Sequence, residues 1–548
     1  MIAQLLSLAL LSSPSGGYVG NGACAPCHGA LVRSYSATPM ALSSGRVRSE
    51  TVPAQSSGGP FTHEASRARY QIVEEPGGYF LEFARALSPP EAALRGRRLL
   101  SYFIGSGAAG RSYLFSVDGF LFQSPVTYYS RLKRWDMSPG FDRYDHVNLT
   151  RPIKTSCLEC HASRIQSVAG TQNRYAEPPF LQDGIACERC HGPGEKHVQV
   201  MSGRVLQGRS EIVNPVKLDS RRRDSVCEQC HLTGEARIAR PGRSLSMFRP
   251  GDLLNDFAVS FVSRESAGSL TAPVSLKATS HVEKFWQSRC KQESGDRLWC
   301  GTCHDAHQLP VVGTQGEYFR KKCLTCHQIS SCAANAGLRA ASKDDCAGCH
   351  MPKNRVADGG HGVLTDHTIA RRTRPVGPRR EARAAPELVP FRGAAAGERE
   401  HGLAYAEVAS SIGDRAYSSR AFELLERALK SDPKDSAVLY RLAFLYEQKG
   451  DAEQAARLYE RALEIDPTLV VALVNLANHY ARKGNLQQAL RLWQDALGRN
   501  PALEEARLNL AMAYAQAGDT AAARTALLKA LEFNPDSPLA RRMLAELR

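Results

Sequence analysis

Fourteen of the sixteen cysteines in this 548-residue chain stand in seven Cys-x-x-Cys pairs, and each pair is followed at once by histidine. The pairs are Cys24/Cys27, Cys157/Cys160, Cys187/Cys190, Cys227/Cys230, Cys300/Cys303, Cys323/Cys326 and Cys346/Cys349. Behind them come His28, His161, His191, His231, His304, His327 and His350. Cys-x-x-Cys-His is the attachment motif of c-type haem. Two thiols three positions apart each form a thioether to one vinyl group of the porphyrin, and the adjoining imidazole sits under the iron as proximal ligand. Zinc ribbons also use Cys-x-x-Cys, but a zinc site built from four cysteines consumes the pairs two at a time and needs no histidine. Seven is odd, and a disulfide framework leaves the histidines unexplained. The cofactor read from the motifs is haem c (heme c), seven per chain and covalently attached.

An iron with one proximal histidine is either capped by a second side chain, which suits electron transfer, or left open for substrate chemistry. Nine histidines lie outside the motifs. His401 and His479 fall in a helical region, which leaves His63, His146, His197, His281, His307, His361 and His367 for seven irons. His307 follows His304 by three residues and His197 follows His191 by six, too close to swing around a porphyrin held by the neighbouring motif. Each is expected to cap a different haem, which forces neighbouring haems together as in an electron wire. His281, His361 and His367 stand in polar stretches with no apolar helical face; His63 and His146 could equally be structural. Met40, in YSATPM, is a thioether candidate or a gap-filling core residue. Cys290 and Cys332 lie outside the motifs and are expected to form a disulfide, the alternative being two free thiols.

The elements that hold these residues differ along the chain. Prolines 433, 467, 501 and 535 recur every 34 residues, with glycines 450, 484 and 518, tyrosines 446, 480 and 514, and alanines 428, 462, 496 and 530 in the same period. This is the tetratricopeptide period. In the unit from Ser436 to Pro467, Leu439, Leu442, Ala443 and Tyr446 mark one helix and Ala455, Tyr459 and Ala462 the next. Three repeats are clear, a degenerate one precedes them from about residue 400, and a last helix caps the end. Such stacks present a concave surface to a protein or peptide ligand. Residues 370–397, rich in Pro, Gly and Arg, read as a linker. Tyr79–Phe83 and Tyr113–Phe122 read as strands. The expected fold is a loop- and helix-rich multihaem domain with small β elements, residues 18–369, followed by an all-α repeat superhelix, residues 398–548.

Residues 2–11 form a short apolar run, followed by small residues to Gly17, which reads as an export signal over 1–17 lacking the usual leading basic residue. The expected location is therefore the periplasm. No run of 18 apolar residues occurs, so no membrane-spanning helix is expected. The net charge of +15 would suit nucleic acid. Seven haems, however, bring about fourteen propionate charges that offset it. With no recognition motif, nucleic acid drops out as a partner.

Five segments carry a family resemblance: RSYL at 111–114, WDMSPGF at 135–141, CERCHGPG at 187–194, CGTCHDAH at 300–307, and CAGCHMP at 346–352 with TDHTI at 365–369. With them the chain resembles exported multihaem cytochromes c related to the tetrahaem cytochrome c of ammonia oxidisers, here fused to tetratricopeptide repeats. The resemblance covers residues 20–370 and the repeats. It implies that His197, His281, His307 and His367 are distal haem ligands and that the activity is electron transfer. One departure stands out: many relatives carry a histidine a dozen residues after the first motif, where this chain has Met40.

The leading expectation is a periplasmic electron carrier between redox proteins, donor and acceptor, with the repeats docking a partner, rather than a catalyst. The alternative is a multihaem oxidoreductase acting on a small nitrogen or sulfur compound, although the Cys-x-x-Cys-Lys motif of pentahaem nitrite reductases is absent.

Overall fold

The computed structural model describes residues 17–53, 59–86, 94–205, 211–264, 277, 281–356, 360–371 and 386–547. Apart from Gly17, the expected export signal lies outside them, as do residues 372–385 of the expected linker.

The first part of the chain is mostly β-sheet, which corrects the loop- and helix-rich expectation for that region. A four-stranded antiparallel sheet runs Phe61–His63, Ala68–Glu75, Gly78–Arg85, Leu94–Leu100. A five-stranded one takes the order Ser44–Arg46, Tyr102–Ile104, Gly110–Val117, Phe120–Tyr129, Arg134–Met137. Tyr70, Leu81, Phe83 and Leu100 from the first share one core with Phe103, Tyr113, Phe115 and Phe122 from the second. Each such side chain contributes roughly 2 kcal/mol on burial. The stretch 113–122 is not one strand but a hairpin, because Asp118 and Gly119 both take positive φ (51° and 80°) and close a two-residue turn. The strand Leu94–Leu100 escaped notice because it is so basic. Its Arg97 guanidinium covers the Phe80 ring at 3.9 Å. Gly96 lies against Phe83, where a Cβ would come within 2.4 Å of the ring.

Among the described residues from Thr155 to Arg371, helices of at most twelve residues and connecting loops predominate, with two- and three-stranded sheets between them. No residue between Gln292 and Arg355 is buried, although this stretch carries three of the seven motifs. It has local secondary structure and no apolar core of its own.

Four helix pairs and a final helix follow: Glu398–Ile412 with Arg415–Ser431, Ser436–Gln448 with Ala452–Ile465, Val470–Arg482 with Leu486–Arg499, Glu504–Gln516 with Thr520–Phe533, then Pro538–Glu546. Asp435, Asp451, Asn485 and Asp519 cap helix starts by accepting backbone N–H groups. The recurring alanines 462, 496 and 530 are buried between helices.

Both ends of this superhelix rest on the rest of the chain. Its first helix buries Leu403, Ala404 and Tyr405 against Ile238, Val259, Phe261 and Leu388 of a three-stranded sheet, Ala236–Ala239, Ala258–Ser263, Leu388–Pro390. Thus the described end of the expected linker is a strand. Leu388-Val389-Pro390-Phe391 is an apolar island in an Arg-rich run, and Arg392 just after it bonds Asp224 and Glu228 (3.3 and 3.1 Å) on the fourth motif's helix. At the far end, Ala502 and Phe533 enter the core of the two β-sheets.

Candidate haem-binding centre

Six of the seven motifs lie in or across helical turns. Asn21–Ser36 carries the first, Thr155–His161 the second, Glu188–His191 the third, Ser220–His231 the fourth, Cys300–Cys303 the fifth and Cys346–His350 the seventh; the sixth begins at the end of Gln315–Cys323. A turn of helix places both cysteines on one side with the histidine next to them.

Histidines from distant segments face these motifs. The His28 and His197 rings lie 6.4 Å apart, centroid to centroid, with planes 19° from parallel. His191 and His307 are 5.9 Å apart at 13°. His304 and His367 are 6.2 Å apart at 35°. A metal–imidazole bond is about 2.0–2.1 Å long, so two imidazoles sharing one metal ion hold their centroids roughly 6 Å apart. These three spacings fit that requirement. A fourth contact, His231 with His281 at 5.0 Å, is closer and edge-on, and His281 also lies 5.1 Å from His367.

Burial and mutual proximity keep His281 and His304 neutral, the form in which imidazole binds a metal. Burial, then the neighbouring His231, His367 and His304, pushes His281 down to about 3. Burial, then His367 and His231, pushes His304 down to about 4. Carbonyl oxygens can only accept, so the Nδ1 groups of His191, His350 and His367 donate to Val213 (2.8 Å), Ala370 (2.9 Å) and Thr365 (2.9 Å). Each bond sets the tautomer that leaves the Nε2 lone pair available.

The motifs are also neighbours of one another. Thiols of different motifs lie beside one another, close enough to shift titration: Cys24 with Cys187, Cys160 with Cys230, Cys227 with Cys300, and Cys323 with Cys346. Cys303 lies within electrostatic reach of Cys326. The first motif thus adjoins the third, the third meets the segment after the fifth through His307, and the fifth adjoins the fourth and sixth. The second joins the fourth and the seventh joins the sixth. Between the fourth and fifth, Val282, Phe285, Trp286 and Trp299 line a narrow crevice of about 10 Å³ with Asp224, Glu228, Cys227 and Cys300. The coreless stretch from Gln292 to Arg355 suits a chain whose interior is cofactor. Among the described residues, no three His, Cys, Asp or Glu side chains converge as for a bare metal ion.

Three attachment cysteines, Cys27, Cys326 and Cys349, are exposed, whereas their motif partners Cys24, Cys323 and Cys346 are half-buried; Cys24 adjoins Cys187, and Cys323 adjoins Cys346. Helical geometry gives the reason. Residues three apart are offset by about 60° around the axis, so one thiol can face the neighbouring motif while the other turns toward solvent. The attachment role of all fourteen cysteines rests on their motifs.

The other sequence candidates sit elsewhere. His63 lies in the four-stranded sheet with both ring nitrogens engaged, by Ser66 Oγ (2.9 Å) and the Asp142 carbonyl (3.2 Å). His146 bonds Asp145 and packs on Tyr144. His361 bonds Asp136 through Nε2 (3.0 Å) and stands edge-on to Tyr129. None of the three faces a motif histidine. Met40 belongs beside the second motif, since the Ser43 hydroxyl lies 2.8 Å from both the Met40 and His161 carbonyl oxygens. Among the described residues, no second histidine ring packs against His161, His327 or His350. Cys290 and Cys332 are both free thiols, which corrects the expected disulfide. Cys290 lies instead toward Cys326 and Cys303, and Cys332 toward Arg339 and Cys346.

One residue passed over in the sequence is Glu188, inside the third motif. Buried at 3% exposure, it accepts three backbone N–H groups. A charged residue between two attachment cysteines was the available signal.

Comparison with known proteins agrees with this division. A family model described as cytochrome c554 and c-prime matches residues 133–192, which hold the second and third motifs. Tetratricopeptide repeat models match 419–475, 447–492 and 474–538. The chain therefore joins a cytochrome c554-type segment, a family with covalently bound haem c, to tetratricopeptide repeats that provide a surface for protein partners. A search of the curated proteins found no match. Among solved structures, MamA is 21% identical with a TM-score of 0.24, covering 26% of this chain and 81% of its own. A tetratricopeptide repeat protein from Parabacteroides merdae is 26% identical with a TM-score of 0.24, covering 27% and 58%. PilF of Pseudomonas aeruginosa is 22% identical with a TM-score of 0.25, covering 27% and 68%. No helix among the described residues is long and apolar enough to cross a membrane.

Proposed function

We propose that this protein is an exported, periplasmic electron carrier with seven covalent haems, passing electrons between redox proteins, and that its repeats dock a protein partner. The observation that carries the reading is the unbroken adjacency of the seven motifs, joined by histidines that reach from one motif's segment to the next. Bound haem c supplies a one-electron iron couple. His28, His191, His231 and His304 then act as proximal ligands, with His197, His307, His281 and His367 opposite them. The Val213 and Thr365 carbonyl acceptors hold the His191 and His367 rings in place through a change of charge. Export is supported by the apolar run at residues 2–11.

Intact mass spectrometry of holoprotein made with a haem-attachment system tests the stoichiometry: seven haems are expected, and fewer than six, or zinc, refutes it. A reductive titration followed optically should then reduce every haem without added substrate.

A second reading, a multihaem oxidoreductase acting on a small nitrogen or sulfur compound, is favoured by one feature. His161 is half-buried, with Nδ1 buried and unpartnered, and has no facing histidine among the described residues. Electron paramagnetic resonance separates the two: a high-spin ferric signal that shifts on adding nitrite or hydroxylamine supports the enzyme, and wholly low-spin iron supports the carrier.

A further inference from the structure

We infer that Glu188 is a positioning residue that sets His28 against His197, fixing both sides of one iron site with a single carboxylate. The inference rests on the reading that an iron sits between these two histidines. Oε1 accepts from the Val19 and Gly194 amides, each at 2.9 Å, and Oε2 accepts from the Gly20 amide at 2.8 Å. Gly20 immediately precedes the helix Asn21–Ser36, which carries His28. Gly194 immediately precedes the helix Glu195–Met201, which carries His197. Both helix starts are therefore tied to one buried group, 168 and 6 residues away in sequence.

The clasp leaves little slack. Asn21 Oδ1 accepts from the Cys187 amide at 3.0 Å, and the Glu195 amide donates to the Gly17 carbonyl at 3.0 Å, so the helix starts also hold each other. Gly20 has φ +80°, and a Cβ there would come within 2.8 Å of Gln182 Oε1. A Cβ on Gly194 would meet Val19 at 3.0 Å and Glu188 Oε1 at 3.2 Å. A carboxylate can accept all three N–H groups, and such charge-assisted bonds are strong. Glutamine cannot, because its NH2 would confront the Gly20 or the Val19 and Gly194 donors. The helix starts would part, and the imidazoles with them.

Electron paramagnetic resonance of the ferric full-length holoprotein tests this with E188Q, E188D and H197A, haem content being checked by mass. E188Q is expected to turn one haem equivalent per chain from low to high spin, reversed by added imidazole. E188D, which keeps the charge but falls short in reach, is expected to convert only part of that equivalent. H197A is expected to convert all of it. If H197A gives a high-spin signal and E188Q remains wholly low-spin, the clasp does not position the ligands and the inference falls. If H197A stays low-spin, the axial reading beneath it is wrong. Should E188Q not accumulate, E188D decides alone, and a wholly low-spin spectrum overturns the inference.

Discussion

Asp536 and Arg85, 451 positions apart, form a buried ion pair: Asp536 Oδ2 lies 2.5 Å from Arg85 Nη1 and 2.9 Å from the Val147 amide nitrogen. The carboxylate is 2% exposed and the guanidinium 22%. Beside them Phe533 packs at 5.7 Å on Phe122 within the core of the two sheets. The loop after the last full repeat is thus part of the β region's interior, and the chain closes on itself through the repeats.

Removing one partner of a buried pair strands the other. Asp536→Ala is expected to cost about 3 kcal/mol by leaving the Arg85 charge and the Val147 N–H unanswered. Phe533→Ala is expected to cost about 3–5 kcal/mol through a cavity in the sheet core. Denaturant unfolding measures both. Losses under about 0.5 kcal/mol, the range of ordinary surface substitutions, would show that the closure contributes nothing.

Deleting residues 398–548 separates two consequences that an independent repeat domain would not produce. The facing pairs His28/His197 and His191/His307 draw nothing from the repeats, so their low-spin signals are expected to persist. The sheets, however, lose Phe533 and Asp536, and the strand Leu388–Pro390 loses the Tyr405 hydroxyl that accepts its Leu388 amide at 3.0 Å. Limited proteolysis should therefore cut the truncated protein within residues 44–150 faster than the full chain. Equal resistance would restore the picture of two separable units.

What the sequence disclosed and what it hid follow from range. The 34-residue period is local, so alanines 462, 496 and 530 could be assigned to helix contacts from their spacing alone. The seven motifs are local too. The spacing that bars His197 and His307 from their own motif's haem has its counterpart in rings that face His28 and His191. The sheets were harder, because strands such as Leu94–Leu100 expose arginines that stack on aromatic rings and so break the alternation of apolar and polar residues. The Arg85–Asp536 pair and the Glu188 clasp join segments with no local signature at all.

Cys290 and Cys332 offer a chemical check on the arrangement near the fifth, sixth and seventh motifs. Each lies toward different attachment cysteines rather than toward the other. Labelling the denatured, unreduced holoprotein with a thiol reagent is expected to mark two cysteines per chain. No label would establish the bridge and require the helix Arg289–Ser294 and the segment around Cys332 to meet. More than two labels would mean that some attachment cysteines carry no thioether, the exposed Cys27, Cys326 and Cys349 being the first to map.

His361 and His367, six residues apart, make the sharpest contrast between a structural and a ligand histidine. His367 is half-buried, its Nδ1 donates to the Thr365 carbonyl at 2.9 Å, and its ring lies 6.2 Å from His304. Its other nitrogen is free to bind metal, in the neutral form that burial enforces. His361 has Nε2 committed to Asp136 at 3.0 Å and its ring against Tyr129, on the far edge of the five-stranded sheet. His367→Ala should therefore open one iron, adding one high-spin equivalent per chain that imidazole restores to low spin. His361→Ala should leave the spin states untouched and cost about 1 kcal/mol, the worth of one part-buried hydrogen bond. Spectra and unfolding curves of the two variants decide the matter together. A high-spin signal from His361→Ala would mean that the segment 360–371 swings away from the sheet to reach a haem. A silent His367→Ala would mean that the iron held by His304 is capped by His281 instead.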